Sequence, residues 1–300
     1  MEQHHHDHHH HEITSLNKAF IIGISLNLAF VVAEFTAGFW YNSLGLLSDA
    51  GHNLGDVASL VLAMLAFRLA KVHPTCSYTY GYKKSTVLVS LLNAVILLVA
   101  VGIIIAESIG KLLHPRPVEG DAIAWVAGIG VVINALTAWF FMKDKDKDLN
   151  VKGAYLHMAA DALVSVGVVV SGIVIAHTGW YIIDPIIGLL IAIVIIVSTW
   201  GLLRDSIRLS LDGVPAGTDI DKVEKTIHSV EGVEGVHHLH IWAISTTETA
   251  LTAHVSVADI SEMERIKQEI KHDLQHVGIQ HATLEFETSG FKCDGHCCSD

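Results

Sequence analysis

The chain has 300 residues, of which 51% are hydrophobic and 17% are charged, and its mean hydropathy is +0.46. Its apolar residues form runs of 20 or more, the length that crosses a bilayer, which excludes an ordinary soluble globular protein. The formal net charge of −12 argues against binding to nucleic acid and favours the handling of cations.

The apolar runs predict a six-helix transmembrane domain over residues 13–212. A cleavable signal peptide is not expected, because residues 1–12 are His-rich and acidic rather than basic and then apolar. The predicted membrane helices are 13–40, 44–71, 85–113, 121–143, 151–177 and 181–203.

A soluble domain is predicted for residues 213–288, where the composition changes. The apolar spacing predicts two helices and three strands in the order α-β-β-α-β, which indicates a compact α+β sandwich of ferredoxin or metallochaperone type. One interpretation is that this domain has no role beyond folding or dimerisation; its histidines indicate a further role in metal binding. The predicted elements are helix 219–230, strands 235–246 and 249–258, helix 260–276 and strand 281–287.

The distribution of basic residues predicts the orientation of the chain in the membrane. Cytoplasmic loops carry an excess of Lys and Arg, and the basic loops here are those after the second, fourth and sixth helices. Both termini and the soluble domain are therefore expected in the cytoplasm, with the chain in the cytoplasmic (inner) membrane. The basic residues are Arg68, Lys71, Lys83, Lys84, Lys143, Lys145, Lys147, Lys152, Arg204 and Arg208.

One pattern occurs twice in the predicted membrane helices, as His52-x3-Asp56 and His157-x3-Asp161. Residues four apart lie on the same face of a helix, one turn apart. Two such helices that face each other bring two imidazoles and two carboxylates together, a ligand set that suits a tetrahedral divalent cation such as Zn²⁺. Burial of an Asp at bilayer depth costs about 3 kcal/mol or more, which favours a functional use.

Other polar residues extend the face that carries this pattern. Asp49 and Asn53 flank His52 at i−3 and i+1, and we interpret them as a hydrated cavity or as residues that orient the metal ligands. A single intramembrane His-x3-Asp could instead form a hydrogen bond between two helices, and two copies make that alternative weak. For Asn27 and Glu34, hydrogen bonds between helices are the favoured interpretation.

Six segments together resemble the cation diffusion facilitators, a family of zinc–proton antiporters, and most of all their bacterial cobalt-zinc-cadmium resistance branch. The resemblance covers nearly all of residues 18–288. Thr86 departs from the family pattern, which has an acid there, and this argues against a ligand-orienting role at that position. The segments are SLGLLSDAGH (43–52), YTYGYK (78–83), NVKGAYLH (150–157), Asp184-Pro185, LDGVP (211–215) and HLHIW (238–242).

The resemblance implies efflux of Zn²⁺, and of Cd²⁺ or Co²⁺, in exchange for protons. The family's transport site maps onto His52, Asp56, His157 and Asp161. The expected partners are divalent metal ions, protons, membrane lipid and a second copy of the chain. The resemblance also implies cytoplasmic zinc sites, at positions matched by His237, His254, His281 and Glu287, and an accessory zinc on the loop with His73 and Cys76.

The two ends of the chain are expected to collect metal. Residues 1–12 hold seven histidines, a tract that binds metal loosely. Cys293 and Cys297, in residues 289–300, add soft ligands at a cytoplasmic end, where metal binding is favoured over disulfides. His238 and His240, which alternate with Leu239 on a predicted strand, are expected to be exposed.

Two alternatives to an antiporter differ in class. A metal-dependent membrane enzyme is disfavoured, because the sequence has no His-Glu-x-x-His motif and four protein ligands leave no position for substrate or water. A passive divalent-cation channel is disfavoured because conduction requires weak binding. We therefore expect a transporter rather than an enzyme.

Overall fold

The computed structural model describes residues 10–40, 44–114, 120–180 and 182–288. Within these ranges it gives the backbone without side-chain placement for residues 10–18, 37–40, 44–52, 120–127, 168, 171, 172, 175, 176 and 184.

Six long helices form the N-terminal part of the described chain, as the apolar runs predict. Each is long enough to cross the hydrocarbon core at a rise of 1.5 Å per residue. Their bounds are α1 His10–Trp40, α2 Leu44–Leu69, α3 Ser85–Leu113, α4 Gly120–Met142, α5 Leu149–Thr178 and α6 Ile183–Ser210.

Three segments of the described residues are long and apolar enough to cross a membrane, namely Ala19–Thr36, Ser85–Leu113 and Pro185–Ser210. The inner helices α2 and α5 carry the His-x3-Asp patterns, whose polar residues lower their hydropathy. The most exposed large hydrophobic side chains include Leu113 and Val197, as expected of helices whose outer faces meet lipid rather than water.

Close packing of aromatic and small residues holds α1, α2, α4 and α5 together. The ring of Phe20 lies 4.8 Å from that of Phe141 and 5.7 Å from that of Phe67. A Cβ on Gly23 would come within 2.9 Å of Thr137, so glycine permits the close approach of α1 and α4. The Asn27 side chain donates to Thr137 Oγ1 at 3.2 Å, a hydrogen bond between helices of the predicted kind.

The C-terminal part has the predicted α-β-β-α-β order. Its three-stranded sheet has the order β1-β2-β3, with β1 and β2 antiparallel and β2 and β3 parallel. Both helices pack against a core formed by residues such as Val223, Leu251 and Ile270. The elements are α7 Ile220–His228, β1 Val233–Ala243, β2 Thr249–Val257, a 3₁₀ turn Ile260–Glu262, α8 Met263–His276 and β3 His281–Thr288.

Strand β1 ends at Ala243, earlier than the predicted 246, because local side chains begin a turn there. Ser245 Oγ accepts hydrogen bonds from the backbone N–H groups of Thr247 at 3.1 Å and Glu248 at 3.0 Å. A hydroxyl that bonds to nearby backbone offers the chain an alternative to strand pairing.

This turn connects the soluble domain to the membrane helices. The Thr246 backbone N–H donates to Thr86 Oγ1 at 3.1 Å, and the Thr246 hydroxyl donates to Asp148. Asn150 in turn donates to the Thr86 carbonyl at 2.9 Å. The turn therefore contacts the start of α3 and the start of α5 at once.

Two ion pairs lie beside the turn. Lys83 Nζ lies 2.5 Å from a Glu248 carboxylate oxygen, and Lys84 Nζ lies 2.6 Å from Asp212 Oδ1. Both pairs are partly exposed, so each contributes at most about 1 kcal/mol. They join the loop before α3 to the β1–β2 turn and to a residue just after the end of α6.

Candidate metal centres

A buried cluster of one histidine and two carboxylates lies between α2 and α5. Asp56 projects from α2, and His157 and Asp161 project from one face of α5 at i and i+4. Their ligand atoms all lie within 4.8 Å of one another. The three residues are 2%, 5% and 9% exposed, which places the cluster inside the helix bundle.

The imidazole of His157 lies between the two carboxylates. Its Nε2 donates to Asp56 Oδ1 at 2.6 Å and lies 3.8 Å from Asp161 Oδ2. One nitrogen and two carboxylate oxygens at such separations are a donor set that binds Zn²⁺ well. The same atoms can bind a proton or a metal ion, so the two compete.

His52 lies on α2 one helical turn before Asp56. Its side chain is among those that the structure does not place, as is that of Asp49. The fourth ligand of the predicted transport site therefore stays a prediction. Position 52, at i−4 to Asp56, lies on the same face of α2 as position 56.

Asn53, the other predicted neighbour of the ligands, bonds to a different helix. Its side-chain amide donates to Glu34 Oε2 of α1 at 2.7 Å, and both residues are buried. This contact is a hydrogen bond between α1 and α2, in agreement with the interpretation of Glu34 from the sequence. It also holds the segment of α2 that carries His52 and Asp56 against α1.

A small cavity touches His157 on the side of the cluster that faces the soluble domain. It measures about 10 Å³, room for about one water molecule. Ser59 and Asn93 contribute polar side chains to its lining. The side-chain oxygen Oδ1 of Asn93 is buried without a hydrogen bond from any described residue. The cavity is therefore polar and large enough for a solvent molecule beside the histidine.

The soluble domain holds a second cluster, formed by His237 of β1, His254 of β2 and Glu287 of β3. His237 and His254 are direct partners across β1 and β2, and the ligand atoms of the three residues lie within 4.8 Å of one another. His254 Nδ1 donates to Glu287 Oε1 at 2.7 Å, and His237 Nε2 lies 3.2 Å from Glu287 Oε2. Glu287 is 7% exposed.

Glu285 is a residue at this cluster that sequence reasoning missed. Its Oε2 lies 3.5 Å from His254 Nε2, and its side chain is 70% exposed. The signal was present in the alternation of β3, because residues two apart on a strand project from the same face. Glu285 therefore shares a face with Glu287.

His281, which the resemblance assigned to the cytoplasmic sites, does not join this cluster. It lies exposed at the start of β3, where its ring makes an edge contact with Tyr80 at 5.5 Å. Glu287 lies six positions further along the strand, a distance of about 20 Å. Within one protomer the two side chains therefore cannot bind the same metal ion.

The remaining predicted ligands have different placements. His73 and Cys76 are both exposed on the loop between α2 and α3, and Cys76 has a free thiol. The described residues offer no group of three ligands that includes either of them. Cys293 and Cys297 lie outside the described residues, as does most of the histidine tract in residues 1–12.

The two histidines that were expected to be exposed differ from each other. His240 is exposed, as the alternation of β1 predicts. His238 is half-buried, with its Nε2 inaccessible to solvent and without a hydrogen bond in the described part of the chain. The expectation was wrong for His238 because β1 contains a bulge at that point, which strict alternation does not anticipate.

These features together define a helical membrane protein with one cluster of candidate metal ligands in its bundle and a second in its soluble domain. Comparison with known proteins gives the family. Residues 20–209 match the model of the cation efflux transmembrane domain, and residues 215–288 match that of the cation efflux protein cytoplasmic domain. The chain belongs to the cation efflux family, whose members are transporters rather than enzymes.

Several bacterial relatives align with almost the whole chain. It is 36% identical to a cadmium, cobalt and zinc/H(+)-K(+) antiporter of Bacillus subtilis, over 92% of this chain and 91% of the relative. It is 34% identical to the zinc transporter ZitB of Escherichia coli, over 93% and 89% of the two chains. It is 36% identical to the cation efflux system protein CzcD of an Alcaligenes species, over 89% and 85%.

Proposed function

We propose that this protein exports Zn²⁺ from the cytoplasm in exchange for protons, by alternating access to a site formed by His52, Asp56, His157 and Asp161. The observation that carries the proposal is the buried cluster between α2 and α5. An ionisable group at this depth is costly unless it is paired or used, and three of them meet here.

Proton exchange is supported by the pairing within the cluster. A metal ion requires a neutral imidazole and ionised carboxylates, so its arrival displaces protons from the same atoms. In the arrangement described, His157 Nε2 and Asp56 Oδ1 share a hydrogen bond of 2.6 Å. A net proton leaves on metal binding when the metal-free site carries one extra proton, on the imidazole or on a carboxyl, and metal release on the far side allows a proton to return. No separate proton pathway through other residues is required.

Alternating access is supported by the position of the ligands. They lie on two helices that pack within a bundle of apolar neighbours, so a tilt of α2 and α5 can expose the same ligands to either side. The small cavity beside His157 is lined by residues that lie nearer than the cluster to the soluble-domain ends of α2 and α5. We infer that the arrangement described is close to an inward-facing or occluded state.

Zinc is the proposed main substrate, with Cd²⁺ and Co²⁺ as further candidates. The proposed set of two imidazoles and two carboxylates suits tetrahedral Zn²⁺. The printed names of the relatives include zinc, cadmium and cobalt. Larger ions prefer more oxygen ligands and less tetrahedral geometry, so the two imidazoles favour zinc.

The cytoplasmic cluster is proposed as an accessory zinc site that reports the metal level of the cytoplasm. His237, His254 and Glu287 each come from a different strand, so a bound metal ion would link all three. The family model that matches residues 215–288 is named for dimerisation, which supports a homodimer. Metal bound there stabilises whichever state holds it best.

The proposed organisation follows the predicted divisions. Residues 1–12 and 289–300 would collect metal, 13–212 would transport it, and 213–288 would regulate transport and dimerise. The two family matches support the central boundaries. Location in the cytoplasmic membrane with both termini inside is supported by the basic loops.

Reconstituted proteoliposomes provide the test. Zinc flux is measured with and without a pH gradient, and lumenal pH is followed in the same vesicles. An antiporter accumulates zinc against its own gradient when a proton gradient is imposed, whereas a channel only equilibrates it. Zinc uptake that ignores the pH gradient would contradict proton exchange while leaving metal transport intact.

Site variants assign the flux to the buried cluster. Asp161→Ala removes one ligand and should abolish transport. A matched control is Ser90→Ala, which removes a buried hydroxyl of α3 that bonds to Ser206 at 2.9 Å and leaves the ligands in place. Flux that survives in Asp161→Ala, or that is lost equally in Ser90→Ala, would contradict the assignment.

A further inference from the structure

His238 has a backbone conformation that strands rarely contain. Its φ is 51°, in the left-handed region that disfavours residues with a Cβ. The pairing of β1 with β2 shifts at this point: His237 pairs with His254, and His240 pairs with Thr252. Two residues of β1, His238 and Leu239, thus face one residue of β2, Ala253, so one extra residue is accommodated as a bulge.

The bulge changes the side of the sheet on which His238 lies. In a regular strand, adjacent side chains point to opposite faces, so His237 and His238 would be separated by the sheet. Here the ring of His238 lies 5.0 Å from that of His254 and 6.2 Å from that of His237. The bulge therefore brings a third imidazole to the cytoplasmic cluster.

The imidazole of His238 also has an unused nitrogen. Its Nε2 is shielded from solvent and receives no hydrogen bond from the described residues, although buried polar atoms normally have partners. Strained backbone and unpaired buried polar atoms both cost stability, and both occur preferentially at functional sites. The two occur together in this one residue.

Ring separations support metal binding by His238. Two imidazoles that bind one tetrahedral zinc at about 2.0–2.1 Å have ring centroids about 5 Å apart. The separations of His254 from His237 and from His238 are 5.2 Å and 5.0 Å, and His238 lies 6.2 Å from His237. The close group of ligand atoms holds His237, His254 and Glu287 without His238, so the His238 ring must turn toward them to bind the same ion. Glu285 is the competing candidate for the fourth position, but its side chain is 70% exposed and offers an oxygen that water can replace.

We propose that His238 is a ligand of the cytoplasmic metal site and completes a set of three imidazoles and one carboxylate with His237, His254 and Glu287. This inference rests on the proposed metal site of the soluble domain. A nitrogen-rich set of this kind selects Zn²⁺ over the oxygen-preferring Mg²⁺ and Ca²⁺. The bulge in β1 places His238, the fourth ligand, on the same side of the sheet as the other three.

The test compares substitutions in the full chain, within a background that carries Asp161→Ala and alanines in place of the histidines of residues 1–12. Asn replaces His238 because Asn tolerates a left-handed backbone. His240→Asn is the matched control, since His240 is an exposed histidine of the same strand whose ring also lies 6.0 Å from that of His238, so it tests whether a neighbouring imidazole alone matters. His254→Asn removes a ligand of the cluster itself. Zinc affinity is measured by competition with a chelator, and thermal melting with and without zinc.

We expect His238→Asn to weaken zinc binding by at least about tenfold, since even loss of a hydrogen-bond partner of a ligand costs about 10–100-fold. Melting of the zinc-free protein should stay unchanged, while the increase on zinc addition becomes smaller. His240→Asn should change neither. Wild-type zinc affinity in His238→Asn, with binding lost in His254→Asn, would overturn the role of His238 and leave the site intact. Unchanged binding in His254→Asn would overturn the metal site itself.

Discussion

Replacement of Asp148 should separate the capping of α5 from the charge at this position. Asp148 Oδ1 accepts the backbone N–H groups of Asn150 at 2.7 Å and Val151 at 3.2 Å, and Oδ2 accepts the hydroxyl of Thr246. The residue is 5% exposed. Asp148→Ala loses a helix cap worth about 1–2 kcal/mol and a hydrogen bond worth about 1 kcal/mol, so it should destabilise the protein by about 2–3 kcal/mol.

Asp148→Asn is the matched comparison, because Asn caps helices as well as Asp does. Its carbonyl oxygen can accept the α5 N–H groups, and its amide can donate to the Thr246 oxygen. Thermal melting of the detergent-solubilised chain should therefore rank wild type and Asp148→Asn close together and Asp148→Ala several degrees lower. Equal melting of Asp148→Ala and wild type would refute the capping argument.

The same pair of proteins tests the ionisation of Asp148. Burial raises the pKa of this carboxyl above its ordinary value of 3.8. The folded protein then holds a proton at Asp148 that the unfolded chain has released. The resulting stabilisation is complete below pH 3.8 and is lost as the pH rises through the folded pKa. As the pH rises above 3.8, the melting temperature of wild type should therefore fall relative to that of Asp148→Asn. A melting difference that does not change with pH would refute the raised pKa of Asp148.

Four further predictions concern metal. Asp56→Ala should abolish zinc flux in proteoliposomes while the protein stays folded, and near-normal flux would exclude Asp56 as a ligand. His52→Asp should raise cadmium flux relative to zinc, because oxygen-richer sites accept larger ions; an unchanged ratio counts against direct ligation. Deletion of residues 1–12 should weaken apparent zinc affinity modestly and leave the maximal rate unchanged, so a lower rate would give the tract a part in the cycle. His254→Ala combined with Glu287→Ala should reduce flux several-fold without abolishing it, and a complete loss would contradict a purely regulatory site.

Much of the membrane domain was predictable because its signals are local. The six apolar runs gave helices whose bounds mostly agree with the structure to within about three residues. The spacing of His157 and Asp161 placed both side chains on one face of α5, and Asp56 meets them across the bundle. Two helices with the same polar pattern have little alternative, because each must bury its ionisable face against another polar surface.

Sequence reasoning was weaker where a contact depends on strand register. The alternation of β1 assigned His238 to the exposed face, and one bulge reversed that assignment. The predicted ligands of the cytoplasmic site also left out Glu285 of β3, although they included Glu287 two residues later. His281 was grouped with the cluster through resemblance alone, and its position at the far end of β3 prevents this within one protomer. Register is set by tertiary pairing, which no local pattern contains.

The departure at Thr86 acquires a physical explanation from the same junction. The resemblance led us to expect an acid at this position, whereas Thr86 Oγ1 accepts the backbone N–H of Thr246, whose hydroxyl is bonded to Asp148. A carboxylate at position 86 would lie close to that of Asp148, and two anions in one buried place raise each other's pKa and repel. Threonine offers an acceptor without a charge. Asp148 on the α4–α5 loop accepts hydrogen bonds from the first turn of α5 and from Thr246, and so joins the soluble domain to the helix that carries His157.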